Sequence, residues 1–107
     1  MCRYVNTFKG FCVKVNKLTL NDIPQRLKHI ATPPHELFTL GANLESLLEN
    51  PAVAIVGSRK VSPYGKDVTI KLAGKLAERG IIIISGLALG VDGLAHRAAL
   101  EAGGTTI

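Results

Sequence analysis

The clearest pattern in this chain is an unbroken apolar run, Ala52-Val53-Ala54-Ile55-Val56, that stops at Gly57. A run without polar interruption predicts a strand buried on both faces of a parallel sheet. Over residues 64–79, Val68, Leu72, Ala73, Leu76 and Ala77 share one helical face, while Lys71, Lys75 and Glu78 lie opposite and Gly80 follows as the stop. That spacing predicts an amphipathic crossover helix. Ile81-Ile82-Ile83-Ile84 comes next, and four β-branched residues in a row favour a second parallel strand because their side-chain rotation is restricted. After a loop of small residues, Val91, Leu94, Ala95, Ala98 and Ala102 form another apolar stripe that ends at Gly103-Gly104 and predicts a second helix. Thr105-Thr106-Ile107 reads as the opening of a third strand.

The first half is less regular. Residues 1–20 mix apolar and basic positions with no clean period, and no element is assigned there. Residues 21–30 place Ile23, Leu27 and Ile30 at helical spacing, with Asn21 or Asp22 as cap and Pro24 early enough to be tolerated, which predicts a short helix. Pro33-Pro34 ends it, residues 35–40 read as a short extended piece closed by Gly41, and a helical turn is expected around Leu44 to Leu48. We therefore divide the chain into a lead-in, residues 1–50, and a core, residues 51–107.

Strand, helix, strand, helix, strand is the order of an α/β fold. It predicts a partial Rossmann-like, doubly wound parallel sheet, β-α-β-α-β, with right-handed crossovers. Ligands in such sheets bind beyond the carboxyl ends of the strands, so function is expected on residues 57–65 and 85–96.

Composition changes this picture little. At 107 residues the chain holds one core, and its apolar content argues against disorder. Thirteen Lys and Arg against eight Asp and Glu are compatible with a polyanionic partner without requiring one. Position says more: Arg59, Lys60 and Lys66 lie close together with no acid before Asp67. Cys2 and Cys12 form no C-x-x-C pair, and no Cys/His set has zinc-site spacing, so both are treated as free thiols and no metal is expected. The start lacks the apolar run of a signal peptide and no later stretch reaches spanning length, so a cytoplasmic location is the default.

The first loop reads Gly57-Ser58-Arg59-Lys60-Val61-Ser62-Pro63-Tyr64-Gly65 and leads into a helix whose first amides lack internal partners. Free amides, two hydroxyls and the charges of Arg59 and Lys60 make a plausible cradle for phosphate oxygens. The blander alternative is that Ser62 caps the helix, Pro63 takes its first position and the glycines permit tight turns. The fingerprint G-x-G-x-x-G is absent, since bulky Arg59 stands where a second glycine would admit a pyrophosphate, which disfavours a nicotinamide or flavin. A Walker-type phosphate loop is absent too, so no cofactor is expected. In the second loop, Ser85, Gly86, Ala88, Gly90 and Gly93 leave the backbone accessible to a partner, while Asp92 and His96, four apart, share a helix face and can touch. They are either an acid/base pair or a helix-start carboxylate that orients a histidine; with no nucleophile nearby, no catalytic residue is assigned.

The run Val53-Ala54-Ile55-Val56-Gly57-Ser58-Arg59, then Ser62-x-Tyr64-Gly65, then Ser85-Gly86-Leu87-Ala88-x-Gly90-Val91-Asp92-Gly93-x-Ala95-His96, then Ala98-Ala99-Leu100 and Gly104-Thr105-Thr106-Ile107, resembles in order and spacing the core of the DNA-processing family called DprA or Smf. The lead-in from Ile23-Pro24 to Gly41 is similar to the segment preceding that core, so the resemblance spans residues 22–107. It implies a non-enzymatic protein that binds single-stranded DNA during natural transformation and helps load the RecA recombinase, acting as a homodimer when full length. It also implies DNA contact by the Gly57-Ser58-Arg59 motif, with Arg59 first among phosphate ligands; Lys60, Ser62 and Lys66 join the DNA-binding candidates by position. Ser85, Gly86, Gly90, Asp92 and His96 match the family's second motif and are read as shaping the pocket floor.

A rival reading is a nucleotide-binding enzyme of the lysine-decarboxylase-like phosphoribohydrolase type, whose P-G-G-x-G-T-x-x-E signature does not occur before Ile107. Another is an inactive fragment. The family core continues beyond a third strand, so a chain ending there is expected to leave the first strand's edge and apolar helix faces open, and to dimerise or aggregate.

Overall fold

The computed structural model describes residues 15–107. Cys2 and Cys12 lie outside that range. The chain falls into two compact units, divided between Glu49 and Asn50.

In the first unit, β1 (Val15–Thr19) pairs antiparallel with β2 (Glu36–Leu40), Lys17 standing opposite Phe38. The Lys17 ammonium lies 5.7 Å from the Phe38 ring centroid and pairs with the Glu36 carboxylate. The extended piece expected at residues 35–40 is therefore β2, whereas β1 was not foreseen. Its inward positions are Asn16 and Leu18 and its outward ones Val15, Lys17 and Thr19, so the alternation of burial does not follow polarity.

The helix expected over residues 21–30 is a single turn, α1 (Gln25–Lys28). Asp22 does not cap it. Its carboxylate turns back to accept from the Thr19 hydroxyl at 2.7 Å and the Thr19 amide at 3.4 Å, and these bonds, the hydroxyl's first, hold its carboxyl below the usual range. Pro24 then stands at the N-cap with no side-chain acceptor, and Ile23 is buried. The turn expected near Leu44 is α2 (Leu44–Leu47), capped by Asn43, whose side-chain oxygen accepts from the Ser46 amide at 3.0 Å.

The second unit is built from β3 (Ala52–Ala54), α3 (Pro63–Glu78), β4 (Ile82–Ile84) and α4 (Val91–Glu101). Strands β3 and β4 are parallel neighbours, with Ala52 opposite Ile82, and the ladder extends through the Ile55 amide to the Ile84 carbonyl at 2.9 Å. Thr105 to Ile107 does not form a full strand. It makes one parallel bridge, Ile83 with Thr106, supported by hydrogen bonds from the Ile83 amide to the Thr105 carbonyl, the Ile107 amide to the Ile83 carbonyl and the Ser85 amide to the Ile107 carbonyl. The β-α-β-α-β sheet expected from the sequence is thus a two-stranded parallel sheet plus a bridge, and the antiparallel pair of the first unit is a separate sheet.

Helices α3 and α4 pack on each other and on β4. Their shared core is small-residue rich: Ala73 and Ala77 from α3, Ala95, Ala98 and Ala99 from α4, and Ile83 from the sheet. Alanine side chains let two helix backbones approach closely and still exclude water. Two expectations change as a result. The buried stripe of α3 runs through Thr69, Ala73 and Ala77, leaving Val68 and Leu72 exposed, because the alanines of α4 select the small-residue face. Thr69 tolerates burial by donating to the Gly65 carbonyl at 2.7 Å. Nor is the first strand covered on both faces. Ile55 packs on the helix-bound core, while Ala54 and Val56, which point the other way, are exposed, Val56 by 73%.

Candidate nucleic-acid interface

Loop 57–62 follows β3 and loop 85–90 follows β4, and because the strands are parallel neighbours both loops leave the same end of the sheet. They are in backbone contact there. The Val91 amide donates to the Ser58 carbonyl at 3.1 Å. A Cβ on Gly90 would lie 2.3 Å from the Ser58 carbonyl oxygen and 2.7 Å from the Arg59 Cα. A Cβ on Gly57 would meet the Val91 side chain at 2.8 Å. The small residues of the second loop therefore make room first for the neighbouring loop.

Asp92 ties the two loops together. It is buried, with 4% of its surface exposed, in the first turn of α4. One carboxylate oxygen accepts from the Gly57 amide and the other from the Gly86 amide, both at 3.2 Å. A buried carboxylate satisfied by two amides and placed at a helix N-terminus is compensated by backbone dipoles. A Cβ on Gly86 would approach it to 3.0 Å, so the second loop is closely wrapped around this group.

His96 does not pair with Asp92. Its Nδ1 lies 2.6 Å from the Thr106 hydroxyl oxygen, and that hydroxyl donates its hydrogen to the Ile83 carbonyl at 2.7 Å. A hydroxyl has one hydrogen, so Nδ1 donates to Thr106, and the buried Nε2 has no hydrogen-bond partner among the described residues. The histidine links α4 to the terminal bridge rather than serving the loops. Ser85 plays a similar part, its hydroxyl donating to the Ile55 carbonyl at 2.6 Å.

The first loop's hydroxyls are used internally. The Ser58 hydroxyl donates to the Lys60 carbonyl at 2.8 Å and accepts from the Lys60 amide at 3.1 Å, closing a tight turn around Arg59. The Ser62 hydroxyl oxygen accepts from the Gly65 amide at 3.0 Å and caps α3, with Pro63 in its first turn. What remains for an anion is cationic side chains. Arg59, Lys60 and Lys66 are exposed, and no described residue forms an ion pair or hydrogen bond with their side chains. The nearest acid in sequence, Asp67, faces Lys71 at 3.6 Å.

Three features of this end of the unit were not read from the sequence. One is the double amide grip of Asp92, signalled only by an acid in the first turn after a glycine-rich loop. Another is Thr106 as the partner of His96. The last is a pair of exposed leucines, Leu87 and Leu89, in the second loop. Among the described residues no three His, Cys, Asp or Glu side chains are grouped to hold a metal, and no helix is long and apolar enough to cross a membrane.

The family model for DNA recombination-mediator protein A matches residues 14–107. The DNA processing protein DprA of Bacillus subtilis is 40% identical over 84 residues, covering 78% of this chain and 28% of the relative. DNA processing protein A of Helicobacter pylori, a protein whose solved structure concerns its mode of single-stranded DNA binding, superposes with a TM-score of 0.71 at 42% identity, over 84% of this chain and 40% of that one. The crystal structure of DprA from Streptococcus pneumoniae gives 0.75 at 40% identity, over 85% and 32%. The chain thus spans between a quarter and two fifths of the length of these relatives.

Proposed function

Since the chain belongs to the DNA recombination-mediator protein A family, we propose that it binds single-stranded DNA through the surface formed by loops 57–62 and 85–90. The observation that carries this reading is Arg59: an exposed guanidinium without a partner among the described residues, on a turn closed by Ser58, at the point where the two loops abut. A guanidinium fixed at its backbone matches the paired oxygens of a phosphodiester, and Lys60 and Lys66 add charge along the same strand. Gly57, Ser58 and Ser62 shape the loop, and Gly86, Gly90 and Asp92 hold it against the second one, while Ser85 and His96 tie the strands and helix beneath.

The activity is binding without catalysis, in the processing of single strands during natural transformation. The full-length protein would deliver the strand to a RecA recombinase as a homodimer, over a parallel sheet continued beyond Ile107 in Rossmann-like fashion. Relatives whose names and structures concern DNA processing and single-stranded DNA support the single-strand part of this reading.

Arg59→Ala is expected to weaken binding to oligothymidylate by about 1.5–3 kcal/mol, roughly 10- to 150-fold, the range for a hydrogen bond to a charged group. It should also reduce the slope of log K against log salt by about 0.7, one phosphate contact's worth for a single strand. Fluorescence anisotropy across a salt series reads both. An unchanged affinity and slope would remove Arg59, and this loop, from the interface.

A further inference from the structure

We propose that Leu87 and Leu89 form an apolar edge that receives the nucleobases of the same strand whose phosphates Arg59 holds; the inference rests on the function proposed above. Leu87 is the one described non-glycine residue with a positive φ, 56°, and 78% of its surface is exposed. A bulky L-residue in the left-handed region is strained, and strain at an exposed side chain is not offset by burial. Elsewhere in the described chain, positive φ is assigned to glycines. Packing of this unit gives no reason for a leucine at 87, so its side chain is explained by something outside the unit.

Leu89 is exposed by 81% and immediately precedes Gly90, the residue pressed against Ser58 and Arg59. Its Cα is therefore about 3.8 Å from the Cα of Gly90, the residue that makes the contact. An apolar side chain and an unpaired guanidinium arise from abutting backbone. A single strand offers the matching alternation, charged phosphates along one edge and flat apolar base faces along the other. Proteins meet such faces with stacking platforms, and aliphatic wedges such as leucine insert between bases as well. Tyr64, 79% exposed in the first turn of α3, is the one aromatic residue between 50 and 107, so base contact in this unit falls mostly to aliphatic groups.

Charge favours a nucleic acid over a second copy of this chain. A two-fold contact through the leucines would bring Arg59 and Lys60 of one copy toward the same cations of the other, with no acid between residues 57 and 66 to compensate.

The test compares a thymidine oligomer with an abasic oligomer of equal length, which keeps the phosphates and removes the bases, against the wild type, Arg59→Ala and the double variant Leu87→Gly/Leu89→Ala. The wild type is expected to prefer the base-bearing strand. The double variant should lose about 10-fold on that strand, keep its abasic affinity and its salt slope, and unfold at the wild-type temperature or above it. Arg59→Ala should instead lower binding to both strands and keep the preference. A preference unchanged in the double variant overturns the inference, as does an equal loss on both strands, or a change in sedimentation with the preference intact, which would assign the leucines to self-association. If the wild type shows no salt-dependent binding to either strand, the function reading itself fails.

Discussion

Asp92→Ala is expected to destabilise the second unit by about 2–4 kcal/mol, read as a fall in the urea midpoint at constant m-value. The substitution removes the acceptor for two amides that belong to different loops, those of Gly57 and Gly86. Hydrogen bonds to a charged group contribute more than neutral ones, and both amides lose that acceptor at once. Asp92→Asn separates charge from geometry. Its side chain carries one oxygen and one NH2 group, so one amide regains an acceptor and the other faces a donor. We expect the asparagine variant to lie nearer to alanine than to the wild type. A midpoint equal to the wild type's would show that the two loops are held by other contacts. Binding of single strands should fall in both variants, because loops that move independently must be ordered by the ligand.

Gly90→Ala is expected to cost about 3 kcal/mol or more, from two causes acting at one position. The backbone there has φ +89° and ψ −130°, outside the regions open to L-residues, and the new methyl group would sit 2.3 Å from the Ser58 carbonyl oxygen. Gly103→Ala supplies the control: its φ is +72° but nothing lies within 4 Å of the added carbon, so only the backbone cost of about 1–2 kcal/mol applies. Thermal denaturation of the two variants side by side checks the difference. In a small unit each kcal/mol moves the midpoint by roughly 4–8 °C, so the glycine at 90 should separate clearly from the glycine at 103. Equal shifts would mean that the loops part readily and that their contact is not a fixed element of the site. The Ser58–Arg59 turn rests directly on Gly90, so the same substitution is also expected to displace Arg59 and weaken single-strand binding.

These expectations draw on features that were unequally legible in the chain. Residues 52–56, 64–79, 81–84 and 91–102 carried their own element types, because unbroken β-branched or apolar runs between glycines and apolar stripes at helical spacing are local properties. The positions of the two loops followed from strand direction, and the resemblance of Gly57-Ser58-Arg59 and of residues 85–96 to one family's motifs needed no coordinates.

What was not legible depended on partners distant along the chain. Helix α3 offers apolar residues at 68, 70, 72, 73, 76 and 77, spread over more than half of its circumference, and only the alanines of α4 decide that Ala73 and Ala77 turn inward while Leu72 stays in water. Strand β1 was hidden because Asn16 faces inward and Val15 outward, an arrangement set by β2 some twenty residues later. Spacing alone put Asp92 and His96 on one helix face, which suggested a pair. Their actual partners are Gly57, thirty-five positions away, with Gly86, and Thr106. A hydrogen bond is won by whichever donor the fold brings within about 3 Å, and periodicity carries no information about that; burial and pairing of polar groups belong to the assembled unit, whereas helix and strand belong to the segment.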